Sequence, residues 1–165
     1  MKRILITLAM AASGLAQADT TQPPKVYMEV AAAPANAREA EIAGLFDRWN
    51  AALASGDAEQ VTRLYAPDGV LEPTVSNEVR STPAGIKDYF VKFLKMQPAG
   101  TINYRQIRLL GADAALDTGV YTFKLTKDGK PQQVQARYTY VYKKVDGAWK
   151  ILNHHSSAMP EAVAK

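Results

Sequence analysis

Asp117, Tyr138, Tyr140, Asn153 and His155 are residue types that move protons or hold a small polar ligand, and hairpin geometry gathers them. Two dipeptides, Asp128-Gly129 and Asp146-Gly147, separate three alternating runs at 115–126, 132–145 and 149–157. Asp-Gly between such runs is a strong signal for a two-residue hairpin turn. Counting back from the second turn sets Val145 against Ala148, Tyr142 against Ile151, Tyr140 against Asn153 and Tyr138 against His155. Counting from the first sets Phe123 against Val134, Tyr121 against Ala136, Gly119 against Tyr138 and Asp117 against Tyr140. Directly opposed residues share a face. One face therefore carries Tyr121, Phe123, Val134, Tyr138, Tyr140, Tyr142 and Ile151, and it turns polar at the end holding Asp117, Asn153 and His155.

Two kinds of chemistry fit that end. Asp117 could take a proton while Tyr140 donates to a developing oxyanion, and His155 titrates close enough to neutrality for acid–base work. The plainer readings are a structural Asp–Tyr hydrogen bond and a buried histidine bonded to Tyr138 or Ser157, because buried polar groups need partners. As a binding pocket, the set is Tyr121, Tyr138, Tyr140, Asn153, His155 and Asp117. Arg105 and Arg108 lie on a preceding run, 102–110, and face opposite ways; either would suit an anionic ligand. His154 and His155 are strand neighbours on opposite faces and cannot chelate one metal together. With no cysteine in the chain, no metal site is expected. No glycine-rich dinucleotide fingerprint occurs, and no cofactor is expected.

These residues need a scaffold. Asn36 followed by Glu39 has the spacing of a capping box. Ile42, Leu45, Phe46, Trp49 and Leu53 then form one helical stripe, closed by Ser55-Gly56. Asp57 and Gln60 open a short second helix with Val61, Leu64 and Tyr65, ended by Pro67-Asp68-Gly69. A brief strand, 70–72, and a polar loop precede a third helix opening at Thr82-Pro83, with Ile86, Tyr89, Phe90, Phe93 and Leu94 as its apolar face. Helices first and an antiparallel meander afterwards define an α+β domain over 36–160. On the opposite sheet face, Val120, Val141 and Leu152 interrupt Thr122, Lys124, Gln133, Gln135, Arg137, Lys143 and Lys150; such a mixed surface suits a dimer interface.

The chain has 165 residues, 47% hydrophobic and 22% charged, enough for one domain with its own core. Lys2-Arg3, the apolar stretch 4–12 and Ala16-Gln17-Ala18 read as a signal peptide over 1–18, so a periplasmic or secreted protein beginning at Asp19 is expected. The apolar stretch is too short for a permanent membrane span. Losing Lys2 and Arg3 from 20 basic residues leaves 18 against 16 acidic ones, too weak a charge for a nucleic-acid footprint. Segment 19–35 is rich in Thr, Gln, Pro and Ala and reads as a flexible arm; 161–165 is a short tail.

Several stretches resemble one family: Trp49-Asn50, Ser55-Gly56-Asp57, Leu71-Glu72-Pro73, Tyr89-Phe90, Asp113-Ala114-Ala115, Asp146-Gly147-Ala148-Trp149, and His155-Ser156-Ser157 with Pro160. In this order, over about 38–160, the chain is similar to the association (hub) domain of calcium/calmodulin-dependent protein kinase II. The resemblance implies a nuclear transport factor 2-like cone, with three N-terminal helices on a curved antiparallel sheet. It also implies self-assembly into dimers or larger rings, without catalysis by the domain itself. Positions of the kinase hub's pocket arginines correspond here to Tyr121 and Tyr140, which weakens the case for an acidic ligand. No kinase domain is present, so nothing supports phosphoryl transfer. Ketosteroid isomerase-like relatives of this fold use a buried carboxylate with tyrosine donors, which makes a small-molecule lyase or isomerase the alternative function.

Overall fold

The computed structural model describes residues 25–161. The proposed signal segment, 1–18, lies outside them. Helix α1 spans Ala37–Ala54, α2 Ala58–Thr62 and α3 Pro83–Phe93, continued by a 3₁₀ turn at Leu94–Met96. The strands are β1 Tyr65–Glu72, β2 Ala99–Leu109, β3 Ala114–Lys127, β4 Lys130–Val145 and β5 Ala148–Ala158. They form one sheet in the order β1-β5-β4-β3-β2, antiparallel except that β1 runs parallel to β5.

The helix starts follow from their caps. Asn36 Oδ1 accepts the Glu39 N–H at 3.0 Å, and the Glu39 carboxylate returns bonds to Asn36 Nδ2 and the Ala35 N–H. Thr82 caps α3 through the Gly85 N–H at 3.1 Å. Ile42, Leu45, Phe46, Trp49 and Leu53 are all buried, as are Ile86, Phe90 and Phe93. At roughly 1.5–3 kcal/mol for each large apolar side chain removed from water, these stripes fix the helices on the sheet.

Both hairpins have the expected turns, with positive φ at Asp128, Gly129, Asp146 and Gly147. The β3–β4 register follows: Asp117 opposes Tyr140, Gly119 Tyr138, Tyr121 Ala136 and Phe123 Val134. The β4–β5 register holds from Val145–Ala148 to Tyr142–Ile151, then shifts. Leu152 is an extra residue, so Val141 pairs with Asn153, Tyr140 with His154, and Tyr138 with Ser156. This bulge corrects the sequence count: beyond it, every β5 side chain is on the face opposite to the one expected.

Two further differences arise near irregular backbone. Tyr65 begins β1 instead of ending α2, and Pro67-Asp68-Gly69 is folded into β1 as an irregularity between Tyr65 and Val70. A Cβ on Gly69 would meet the carbonyl oxygens of Ala66 and Ile151 at 2.9 Å, so only glycine fits. The arm is not free over its described part. Gln135 Nε2 donates to Tyr27 O at 2.9 Å, Asn103 Nδ2 to Glu29 O at 3.0 Å, and the Ala31 N–H to Ile102 O at 2.9 Å. Residues 27–31 thus cross the outer side of the sheet to its β2 edge. Asn50 protects that edge from α1, where its amide exchanges two hydrogen bonds with the backbone of Gly100.

Candidate functional site on the concave face

The concave face has two polar centres, separated by aromatic rings. At one end Asp117 is wholly buried. The Tyr138 hydroxyl donates to its Oδ1 at 2.9 Å, and Arg105 Nε lies 3.2 Å from Oδ2. The guanidinium also stands 5.9 Å from the centre of the Phe46 ring on α1. Burial pushes the Asp117 carboxyl up to about 6, while the Arg105 charge and the Tyr138 bond hold it below what burial alone would give.

A second bulge selects the arginine. Without it, Ile102 on the inner face would be followed inward by Tyr104, Gln106 and Arg108. The register shifts between Ile102 and Tyr104, so Arg105 and Ile107 turn inward and Arg108 is exposed. Gly119 makes this possible, because a Cβ there would come within 1.9 Å of the Tyr104 carbonyl oxygen. The alternation signal alone left Arg105 and Arg108 equivalent, and the bulge decides between them.

The centre of the face belongs to His154, which sequence counting had placed outside. Its ring stacks on Tyr140 with centroids 4.1 Å apart and meets the edge of Trp49 at 5.3 Å. The Tyr65 hydroxyl is 2.9 Å from Nδ1. Burial drives its pKa down to about 3, so the imidazole is neutral at ordinary pH. Tyr140 is also fully buried, and the loss of water pushes its hydroxyl pKa well up. It is not a free acid in this setting.

Further along β5, Ser156 accepts from the Tyr121 hydroxyl and is hydrogen-bonded to Thr74. Beside it lies a cavity of about 40 Å³, walled by Trp49, Phe90, Phe93, Tyr121, His154 and Ser156, with Thr74 and Val75 at its margin. Asp117 and Tyr138 do not line it, and no charged side chain does.

The expected site residues therefore divide. Asp117 and Tyr138 come together, Tyr140 lies beside His154, and Tyr121 joins the cavity wall. Asn153 and His155 leave the face. Asn153 Nδ2 donates to Glu72 Oε2 at 3.1 Å, and His155, exposed, pairs with Thr139. The bulge at Leu152 hides His154 and Ser156 from a count along β5, while Tyr65 and Thr74 reach them through the parallel pairing of β1 with β5, which no local pattern marks. The adjacent apolar pair Ile151-Leu152, which breaks alternation, was the available sign of the bulge. Among the described residues, no group of three or more His, Asp or Glu side chains is placed to hold a metal.

Three helices closed over the concave side of a strongly curved sheet define an α+β cone of the nuclear transport factor 2-like class. Residues 38–160 match the family described as the calcium/calmodulin dependent protein kinase II association domain, and the chain belongs to it. A Xanthomonas campestris structure named for that association domain is 58% identical, covering 84% of this chain and 100% of its own, with a TM-score of 0.82. The hub homology domain of the Chlamydomonas reinhardtii kinase is 22% identical over 75% of this chain and 99% of its own, at TM-score 0.64. An NTF2-like protein with a cystatin-like fold from Novosphingobium aromaticivorans shares 17% identity, covering 76% and 83%, at 0.63. The last two likenesses concern the fold.

Proposed function

We propose that the protein is an exported, self-associating module of the association-domain family that holds a small ligand in the cavity beside Ser156. The observation that carries this reading is that the aromatic-walled cavity has no charged side chain among the described residues, whereas the wider cleft between the arm and β2 is lined by Glu29, Glu39 and Arg105. The buried carboxylate is tied to Arg105 and Tyr138, while the cavity beyond the aromatic rings contains no group able to take a proton as a carboxylate would. Self-association is supported by family membership and by the outward side of the arm. Val26, Met28 and Val30 alternate there, with Met28 81% and Val30 74% exposed, and Tyr104 is exposed nearby. Large exposed apolar side chains at consecutive outward positions favour contact with another protein surface. Export rests on the basic, apolar and Ala-x-Ala pattern of residues 1–18.

The rival reading, a lyase or isomerase, draws on Asp117, whose raised pKa and tyrosine partner suit a general base. A base must also reach its substrate, and both Asp117 oxygens face protein groups away from the cavity. The solution mass of the chain from Asp19 to Lys165, measured by size exclusion with light scattering, tests the assembly half. A dimer or larger ring is expected; a monomer across the concentration range rejects it. Turnover of a bound small molecule that Asp117→Asn abolishes while the oligomer and the binding persist would favour the enzyme reading.

A further inference from the structure

We infer that the cavity takes a small, flat, uncharged molecule carrying one oxygen acceptor, of the phenol or aromatic ketone kind, and that His154 Nε2–H binds that oxygen. This rests on the ligand-binding half of the proposed function and gives it a chemical class. The tautomer follows from the partners. Among the described residues buried Tyr65 has no hydroxyl acceptor besides His154 Nδ1, so it donates there and the imidazole hydrogen resides on Nε2. That nitrogen is buried and without a partner among the described residues, while His154 lines the cavity. A buried donor left open in this way calls for an acceptor.

Charge decides the class. Among the described residues no Lys, Arg, Asp or Glu lines the cavity, and the neutral imidazole resists protonation because it is fully enclosed. A carboxylate entering would lose its water without gaining a counter-ion. The walls favour a planar guest, since Phe90, Phe93, Tyr121 and Trp49 present aromatic rings to the space.

Size sets the route. A cavity of about 40 Å³ holds little more than water, whereas a cavity that takes benzene measures roughly 150 Å³. The segment after β1 covers the opening. It is held by the Thr74–Ser156 hydrogen bond and, at its base, by the paired backbones of Leu71 and Arg80. Val75, 61% exposed, adds little to that hold. A ring is admitted when Thr74 lifts from Ser156, which frees the Ser156 hydroxyl for the guest's oxygen.

The test titrates the chain from Asp19 to Lys165 with phenol and with benzoate at neutral pH. Calorimetry gives affinity, and nitrogen-labelled histidine resonances report on Nε2. Phenol should bind once per chain and shift the His154 signal, with benzoate at least tenfold weaker. Phe93→Trp, which fills the cavity from α3, should abolish phenol binding, and Thr74→Val should tighten it severalfold. Benzoate binding as well as phenol overturns the ligand class while leaving the cavity as a site. No saturable binding of either probe overturns the inference together with the ligand-binding reading, and leaves self-association to its own test. Unchanged phenol affinity in Thr74→Val overturns the lifting of the loop.

Discussion

The two polar centres of the concave face solve burial in opposite ways. At the Asp117 end, a charge is enclosed with its counter-charge beside one tyrosine hydrogen bond and an aromatic ring, and Arg105 Nε and Nη2 and Asp117 Oδ2 make no aligned hydrogen bond among the described residues. At the His154 end the titratable group is kept neutral, and space remains beside it. An enclosed ion pair fixes geometry, because neither charge can leave the other without a large desolvation cost. A neutral donor with an open valence can recognise something else. The acid–base cluster read from the sequence thus sits apart from the aromatic-walled cavity, which lies beside His154.

Removing one member of the ion pair should have the largest effect. Arg105→Met leaves Asp117 buried and unpaired, which should destabilise the fold by about 3–5 kcal/mol at neutral pH. Denaturant unfolding should show that loss shrinking on acidification, as Asp117 becomes neutral. A loss independent of pH would mean that Arg105 acts through packing alone.

Acid titration sharpens the contrast, because the two centres have opposite signs. His154 is held down to about 3 from an ordinary value of 6.5, so the stability it contributes is present above 6.5 and lost as pH falls. Asp117 is raised from 3.8 to about 6, so its contribution is full below 3.8 and lost as pH rises through 6. Each is worth roughly 3 kcal/mol across pH 4–6.5, and in the intact protein they largely offset. Asp117→Asn should steepen acid destabilisation in this window. His154→Phe should reverse it, making the protein more stable at pH 4.5 than at pH 7. Parallel curves for the three proteins would contradict these assignments.

Smaller effects follow from backbone and hydroxyls. Gly119→Ala drives a methyl group into the Tyr104 carbonyl and should cost about 1–3 kcal/mol at the charged end. Ser156→Ala removes the shared partner of Tyr121 and Thr74 at the neutral end, for about 1 kcal/mol. Thermal unfolding of both variants ranks them, and a larger effect for Ser156→Ala would reverse the expected order.

Much of the fold was legible in residues with strong local demands. Asn36 and Glu39, the stripe from Ile42 to Leu53, and the two Asp-Gly turns carry their geometry in their side chains, and the β3–β4 register follows by counting. The site was less legible because two single-residue bulges, at Leu152 and before Tyr104, each invert a face. Their cause lies in contacts across the sheet, such as the room Gly119 makes for the Tyr104 carbonyl, and alternation within one strand cannot report them. The parallel pairing of β1 with β5 joins residues far apart in the chain, and no local pattern announces it. His154 and Arg105 were therefore within sight in the sequence, but their facing was decided elsewhere.

Whether the protein self-associates is decided by light scattering on the chain from Asp19 to Lys165 beside a Met28→Glu/Val30→Glu variant. A dimer or larger ring is expected for the native chain, and a folded species of lower mass for the variant. A native chain that remains monomeric at high concentration, with an unchanged mass in the variant, would contradict self-association.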